Sequence, residues 1–187
     1  GRPIALLGEG WNFGEVADGV RFVQASQRSL NGTGIATFSD RARDAVRGGG
    51  CCDDGRDLIR KQGWVNGLFY AQNSEAQGKG TLAELQQAAT LLRIGMTGSL
   101  RSMPIAKADG GALLAEQINY AGQPAGYVDE PGEVVNYVEN HDNPTLFDIN
   151  VLKLPLDTPA SERARVQLLA LATVAFSQGI AYFHAGG

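Results

Sequence analysis

The 187-residue sequence predicts an α/β fold carried on a parallel sheet, open or closed into a barrel. Three observations predict it. Short apolar runs recur along the chain, each run leads to polar side chains, and helical patterns fill the intervals. Near-continuous apolar strands of this kind belong to parallel sheets covered on both faces.

The first run, Ile4-Ala5-Leu6-Leu7, leads to Gly8 and Glu9. A weaker one, Gly34-Ile35-Ala36-Thr37-Phe38, leads to Ser39-Asp40. The third, Val134-Val135-Asn136-Tyr137-Val138, leads to Glu139, Asn140, His141 and Asp142, and the fourth, Ile180-Ala181-Tyr182-Phe183, to His184. Between them, Ser39 or Asp40 caps a short helix through Arg47, which Gly48-Gly49-Gly50 stops. Thr81 and Glu84 form a capping box ahead of the stripe Leu82, Leu85, Ala89 and Leu92. Thr158-Pro159 is an N-cap and first-turn pair for a helix presenting Leu168, Leu171, Ala172, Ala175 and Phe176 on one face. Gly179 ends that helix. The predicted order is strand, loop, strand, helix, a long helical excursion, strand, helix, strand.

The length suits one domain with a sizeable core, and the composition, 43% hydrophobic and 19% charged, is that of an ordinary globular protein. No apolar run approaches the length of a membrane span. The net charge of −4 is mild and the 16 Lys and Arg are scattered, which argues against a nucleic-acid stripe or a membrane-surface helix. Cys51 and Cys52 are adjacent, and neighbouring residues rarely bridge, so two free loop thiols are expected in preference to a metal or redox role, and the compartment stays undecided. The chain opens without Met, charged leader or signal-like stretch, and is expected to be cut from something larger.

The opening stretch "LLGEGWNFGEV" spaces Gly8, Gly10 and Gly14 almost like a dinucleotide loop. The third glycine comes one place late, Trp11 and Phe13 crowd the approach, and Glu9 would face phosphate. "GKGT" at 78–81 lacks the Lys-Thr adjacency of a nucleotide-hydrolase loop, and the sequon Asn31-Gly32-Thr33 is too common to weigh. Glu9 itself has two readings. An apolar wall that includes Trp11 would raise its pKa and suit it to protonate a glycosidic leaving oxygen; alternatively it is a strand-end Glu paired with an Arg. His141, Asp142 and Asn143 stand together at a strand end, where polar groups are costly to desolvate unless they grip a ligand or each other. A metal site is disfavoured, because no second His or Cys sits at ligand spacing.

Four segments, "LLGEGWNFGEV", "NGTGIATFSDRARDAVRGGG", "INYAGQPAGYVDEPGEVVNYVENHDNPTLFD" and "LATVAFSQGIAYFHAG", together resemble the type I pullulanases and limit dextrinases of the α-amylase superfamily. They follow that family's order and cover nearly the whole chain. The resemblance implies a (β/α)8 TIM barrel that hydrolyses α-1,6 branch linkages in pullulan, amylopectin and limit dextrins with retention of configuration. A whole barrel takes roughly 250 residues, so residues 1–187 would be its C-terminal half, with strands five to eight at 4–8, 34–38, 134–138 and 180–183. By position, Glu9 resembles the general acid/base and Asp142 the carboxylate that stabilises the transition state. His141 resembles its sugar-contacting neighbour, while Trp11 and Asn143 are expected to help bind substrate. Glu9 and Asp142 would then face one glucose unit at the barrel mouth.

The departures are specific. The family's nucleophile, an Asp after Arg-x on the fourth strand, is expected upstream of Gly1; Asp44 and Asp57 follow arginines here but end no apolar strand. Cys51-Cys52 stand where relatives often carry Pro-Phe, Asn12 where they often carry Asp, and Gly187 where they continue. The segment alone is therefore expected to be inactive, and a half-barrel with two exposed strand edges is expected to aggregate. Rival readings are another α-glucan-active member of the superfamily (isoamylase, branching enzyme, α-amylase) and a non-catalytic carbohydrate-binding or scaffolding paralogue. The expected partner is an α-glucan substrate, with no nucleic acid and no membrane span. No cofactor is implied; calcium is common in the superfamily, but no segment shows calcium-loop spacing. The sequence is silent on localisation.

Overall fold

The computed structural model describes residues 4–107 and 110–185. Two compact units divide the chain. The first runs to Ser39 and takes in Ile94–Asn136 and Ser177–Ala181; the second holds Asp40–Arg93, Tyr137–Phe176 and the tail from Tyr182.

The strands of the first unit are β1 (Leu6–Gly8), β2 (Ile35–Phe38), β3 (Pro104–Ala106), β4 (Ala112–Leu114), β5 (Asn119–Tyr120), β6 (Gln123–Pro124), β7 (Val134–Asn136) and β8 (Ile180–Ala181). Four of them form a sheet in the order β1-β2-β7-β8. Every neighbouring pair is parallel, with Leu7 opposite Ala36, Phe38 opposite Val135, and Val135 opposite Ile180. Each apolar run read from the sequence thus overlaps a strand, and β1 extends one residue past its run to Gly8. β2 and β7 are central, and Ala36, Thr37, Val134 and Val135 are buried. β1 departs from the expectation of cover on both faces: it is an edge strand, with Leu6 59% and Leu7 50% exposed. An apolar run specifies a strand, but its cover has to come from elsewhere in the fold.

The connection from β1 to β2 is a 3-10 segment, Gly14–Gly19, kinked at Ala17 and Asp18. Asn12 holds the kink from both sides: its amide donates to Asp18 Oδ1 at 2.7 Å and its carbonyl accepts the Asp18 N–H at 2.8 Å. Before β2, the buried Glu133 accepts the N–H groups of Gly32 (2.8 Å) and Gly34 (2.5 Å). Asn31 exchanges two hydrogen bonds with Asp129, so the sequon asparagine is engaged inside the fold.

The long excursion is only partly helical, which corrects the reading above. Residues 104–106 and 112–114 form an antiparallel pair, β3 with β4, and β5–β6 is a tight hairpin with Tyr120 opposite Gln123. Its turn residues Ala121 and Gly122 both have positive φ, 46° and 84°. That is the backbone of a two-residue hairpin turn, usually signalled by Asn-Gly or Asp-Gly; Ala-Gly carries no such signal.

The helices are α1 (Asp40–Arg47), α2 (Gly55–Arg60), α3 (Leu82–Met96), α4 (Leu146–Lys153) and α5 (Ala160–Ala175). α1 stops where Gly48 turns to φ +78°, a position at which a Cβ would strike the backbone of Gln62 and Gly63. α3 opens on the expected capping box: Glu84 accepts the Thr81 N–H at 2.8 Å, and Thr81 Oγ1 accepts the Glu84 N–H at 3.2 Å. Two helices lie in the chain between β7 and β8 where one was expected. The additional one, α4, is capped by Thr145, whose side chain accepts from Asp148 N. α5 begins one residue later than Thr158-Pro159 suggests, with Pro159 at the cap.

The predicted face of α5 is also wrong. Its buried residues are Ala170, Thr173 and Val174, whereas Leu168 is 68% and Phe176 77% exposed. Polar anchors decide the orientation. Arg163 donates to the Pro155 carbonyl at 2.8 Å and Gln167 accepts from Asn150 at 3.4 Å. Residues 163, 167, 170 and 174 share one helical stripe, so the small side chains approach α4 and the leucines turn away. Among the described residues no helix is long and apolar enough to cross a membrane.

Candidate functional site

The candidate residues fall into both units: Glu9 and Trp11 in the first, His141, Asp142 and Asn143 in the second. In the second unit the loop after β7 is built on a charged, buried base. Tyr137 and Val138 are buried, and the Tyr137 hydroxyl accepts from Arg43 Nη1 at 2.6 Å. Arg43 Nε donates in turn to Asp44 Oδ1 at 2.7 Å. Burial works against the Arg43 charge, but Asp44 and Tyr137 beside it outweigh burial and hold its pKa above the ordinary value. Burial pushes the Tyr137 phenol up to about 12.

Arg47, one turn further along α1, clamps both ends of the loop. It donates to the Val138 carbonyl at 2.9 Å and to the Pro144 carbonyl at 2.7 Å. Burial, reinforced by Arg43, lowers its pKa to about 10. The buried Glu139 accepts the Leu146 N–H at 2.6 Å and so ties the loop to the start of α4.

On this base the tip stands in solvent. The Asp142 carboxylate is held from two sides, by the Asn140 amide at 3.1 Å on Oδ2 and by His141 Nδ1 at 3.2 Å on Oδ1. Asn140 returns a contact, accepting the Asp142 N–H at 3.1 Å. Both His141 and Asp142 are exposed. Asn143 points the other way, donating to the Cys51 carbonyl at 3.0 Å. A carboxylate fixed in direction and open to solvent can accept hydroxyl hydrogen bonds and face a developing positive charge. Of the two readings of this cluster, the mutual grip of His141 and Asp142 is present, and it leaves their outer faces open to a ligand.

In the first unit Glu9 follows β1 directly. Gly10 turns at φ +70°, where a Cβ would meet the Thr37 side chain, and its carbonyl accepts the Gln27 N–H at 2.7 Å. Glu9 is exposed and Trp11 half-buried, so the apolar wall expected around the carboxyl is not closed. No arginine among the described residues pairs with Glu9 either. A cavity of about 560 Å³ opens beside this loop, lined among others by Gly10, Asn12, Gln24, Gln27, Arg101 and Tyr127. His184 is half-buried beyond β8. Asp44 and Asp57 are engaged by Arg43 and by Arg60 (2.6 Å) on their own helices.

Sequence reasoning missed Arg43, Arg47 and Glu139, the charged groups under the loop. One signal was available: arginines four apart on a short helix with few apolar residues place two cations on a single face. It also misjudged the cysteines. Cys51 and Cys52 are bonded to one another, and no free cysteine remains among the described residues. The pair lies in the turn that follows two positive-φ glycines, Gly48 and Gly49.

Glu9 and Asp142 are thus exposed carboxylates on loops that follow parallel strands of an α/β fold. No family model matches the sequence. Along its whole length, however, the chain is 41% identical to pullulanase 1, chloroplastic, of Arabidopsis thaliana, and over 98% of its length it is 43% identical to pullulanase of Klebsiella pneumoniae. The crystal structure of the maltotriose complex of PulA from Klebsiella pneumoniae superposes with a TM-score of 0.90 at 41% identity over 97% of this chain. Over its whole length the chain is thus similar to one segment of pullulanases. It spans 19% of the Arabidopsis protein, 16% of the Klebsiella one and 19% of the crystallised chain.

Proposed function

We propose that this chain is part of a starch-debranching glycoside hydrolase that cleaves α-1,6-glucosidic linkages in pullulan, amylopectin and limit dextrins, with β1, β2, β7 and β8 as the fifth to eighth strands of a (β/α)8 barrel. The observation that carries the proposal is likeness, along the whole of this chain, to one segment of pullulanases, one of them solved with maltotriose. Glu9 protonates the departing glycosidic oxygen and then, as a carboxylate, takes a proton from water. Asp142, oriented by Asn140 and His141, stabilises the oxocarbenium-like transition state. His141 holds a sugar hydroxyl, and Trp11 offers a flat apolar face to a ring; Asn143, whose amide is spent on the Cys51 carbonyl, supports the loop instead.

Retention also takes a nucleophilic carboxylate. Asp44 and Asp57 are committed to arginines, so the 187 residues by themselves bind α-glucan without turning it over. Calorimetry with maltotriose and a reducing-sugar assay on pullulan test both parts. Asp142→Ala and His141→Ala should each weaken maltotriose binding about tenfold, a loss of about 1.4 kcal/mol. Unchanged affinity in both variants overturns the site assignment. Pullulan turnover by the 187 residues that Glu9→Gln abolishes overturns the claim that they are inactive alone.

A further inference from the structure

We propose that Cys51–Cys52 is a thiol–disulfide exchange site whose oxidation state is relayed through the Cys51 carbonyl to Asn143, and so to the loop carrying His141 and Asp142. The two sulfurs are bonded, and both residues are exposed, so a small thiol can reach them. The turn is anchored on its far side by Asp53, which accepts the Gly50 N–H at 2.7 Å and pairs with Lys61. On its near side stands the Asn143 amide, 3.0 Å from the Cys51 carbonyl oxygen.

The chemistry follows from adjacency. Bonding between neighbouring cysteines closes a small covalent ring that includes the peptide between them. The Cys51 carbonyl carbon is a member of that ring, so the ring fixes the direction in which its oxygen points. Opening the ring frees the two dihedrals that flank the peptide. A cavity of about 70 Å³, lined by Arg47, Gly48, Cys51, Asp53, Asn143 and Lys153 among others, lies beside the turn and gives it room to shift. Asn143 then loses its fixed acceptor. The loop base remains clamped by Arg47 and Glu139, and the change is confined to the tip.

The co-reactant is a dithiol. Its thiolate attacks one cysteine sulfur, forming a mixed disulfide and releasing the other cysteine as a thiolate. The second thiol of the reductant then attacks its own bonded sulfur and releases the first cysteine. Two electrons and two protons pass to the pair, and the reductant leaves as a cyclic disulfide.

The test uses the 187-residue protein with dithiothreitol, alkylation by iodoacetamide read by mass spectrometry, and amide hydrogen exchange over residues 138–146. It does not depend on the glucan assignment. Without reductant neither cysteine should be alkylated, and after reduction both should be. The amide of Asp142 and its neighbours should exchange about tenfold faster in the reduced protein. A Cys51→Ser, Cys52→Ser variant should exchange at the reduced rate whatever the reductant. Asn143→Ala should remove the difference between the two states; if either variant does not fold, the wild-type comparison alone decides. Alkylation of both cysteines without reductant, or equal exchange in the two states, overturns the proposal.

Discussion

Lys153 carries a charge question in the core of the second unit. It is 1% exposed, and its Nζ donates to the carbonyls of Arg47 (2.9 Å), Gly48 (2.6 Å) and Lys61 (2.7 Å). Burial, with Arg47 adding to it, lowers its pKa from 10.5 to about 7. In the unfolded chain the same amine holds its proton to about pH 10.4. Between those values the unfolded state binds more protons than the native one, so stability rises with pH. Below about pH 7 both states are protonated and the contribution is flat. The slope approaches ~1.4 kcal/mol per pH unit, and integrating from about pH 7 to 9 gives about 2 kcal/mol from this group. Lys153→Met keeps the length of the stem and removes the titration. Urea unfolding followed by circular dichroism at about pH 7, 8 and 9 should show the wild type gaining about 2 kcal/mol over the variant across that range. Parallel pH profiles for the two proteins would refute the assignment of a depressed pKa to Lys153.

Two further substitutions test the base of the loop and its approach. Tyr137→Phe removes the hydroxyl that accepts from Arg43 at 2.6 Å and should cost about 1–3 kcal/mol in urea unfolding; no loss would mean that Asp44 alone satisfies the guanidinium. Gly48→Ala forces a side chain into φ +78° and its Cβ against the backbone of Gln62 and Gly63. A loss of about 3 kcal/mol or more is expected, read as a fall in melting temperature and soluble yield, and an unchanged melting curve would contradict the close approach.

What was legible in the sequence was local. The four apolar runs each overlap a strand, Gly48 ends α1, and Thr81 with Glu84 starts α3. Each of these signals lies within a few residues of the structure it specifies. The losses are of a different kind. The Ala121-Gly122 turn has the backbone of a common hairpin without its usual residues. The face of α5 was set by Arg163 reaching the Pro155 carbonyl and Gln167 meeting Asn150 of α4, polar contacts that a count of leucines does not register. The clamp of Arg47 on Val138 and Pro144 joins residues 91 and 97 positions apart, and no spacing rule reaches that far. The candidate loop was readable for the same reason in reverse: Asn140, His141 and Asp142 hold one another as sequence neighbours. The rigid support beneath them was not.

β1 has a bearing on how the protein behaves on the bench. Among the described residues it pairs only with β2, and Leu6 and Leu7 stand exposed along it. Such a rim is as ready to accept a second molecule as to stay wet. Concentration is therefore a hidden variable: a dilute sample and a crystallisation stock need not contain the same particle. Light scattering across a dilution series belongs ahead of any calorimetric titration, because a self-associated stock would report its own dissociation heat as if it were sugar.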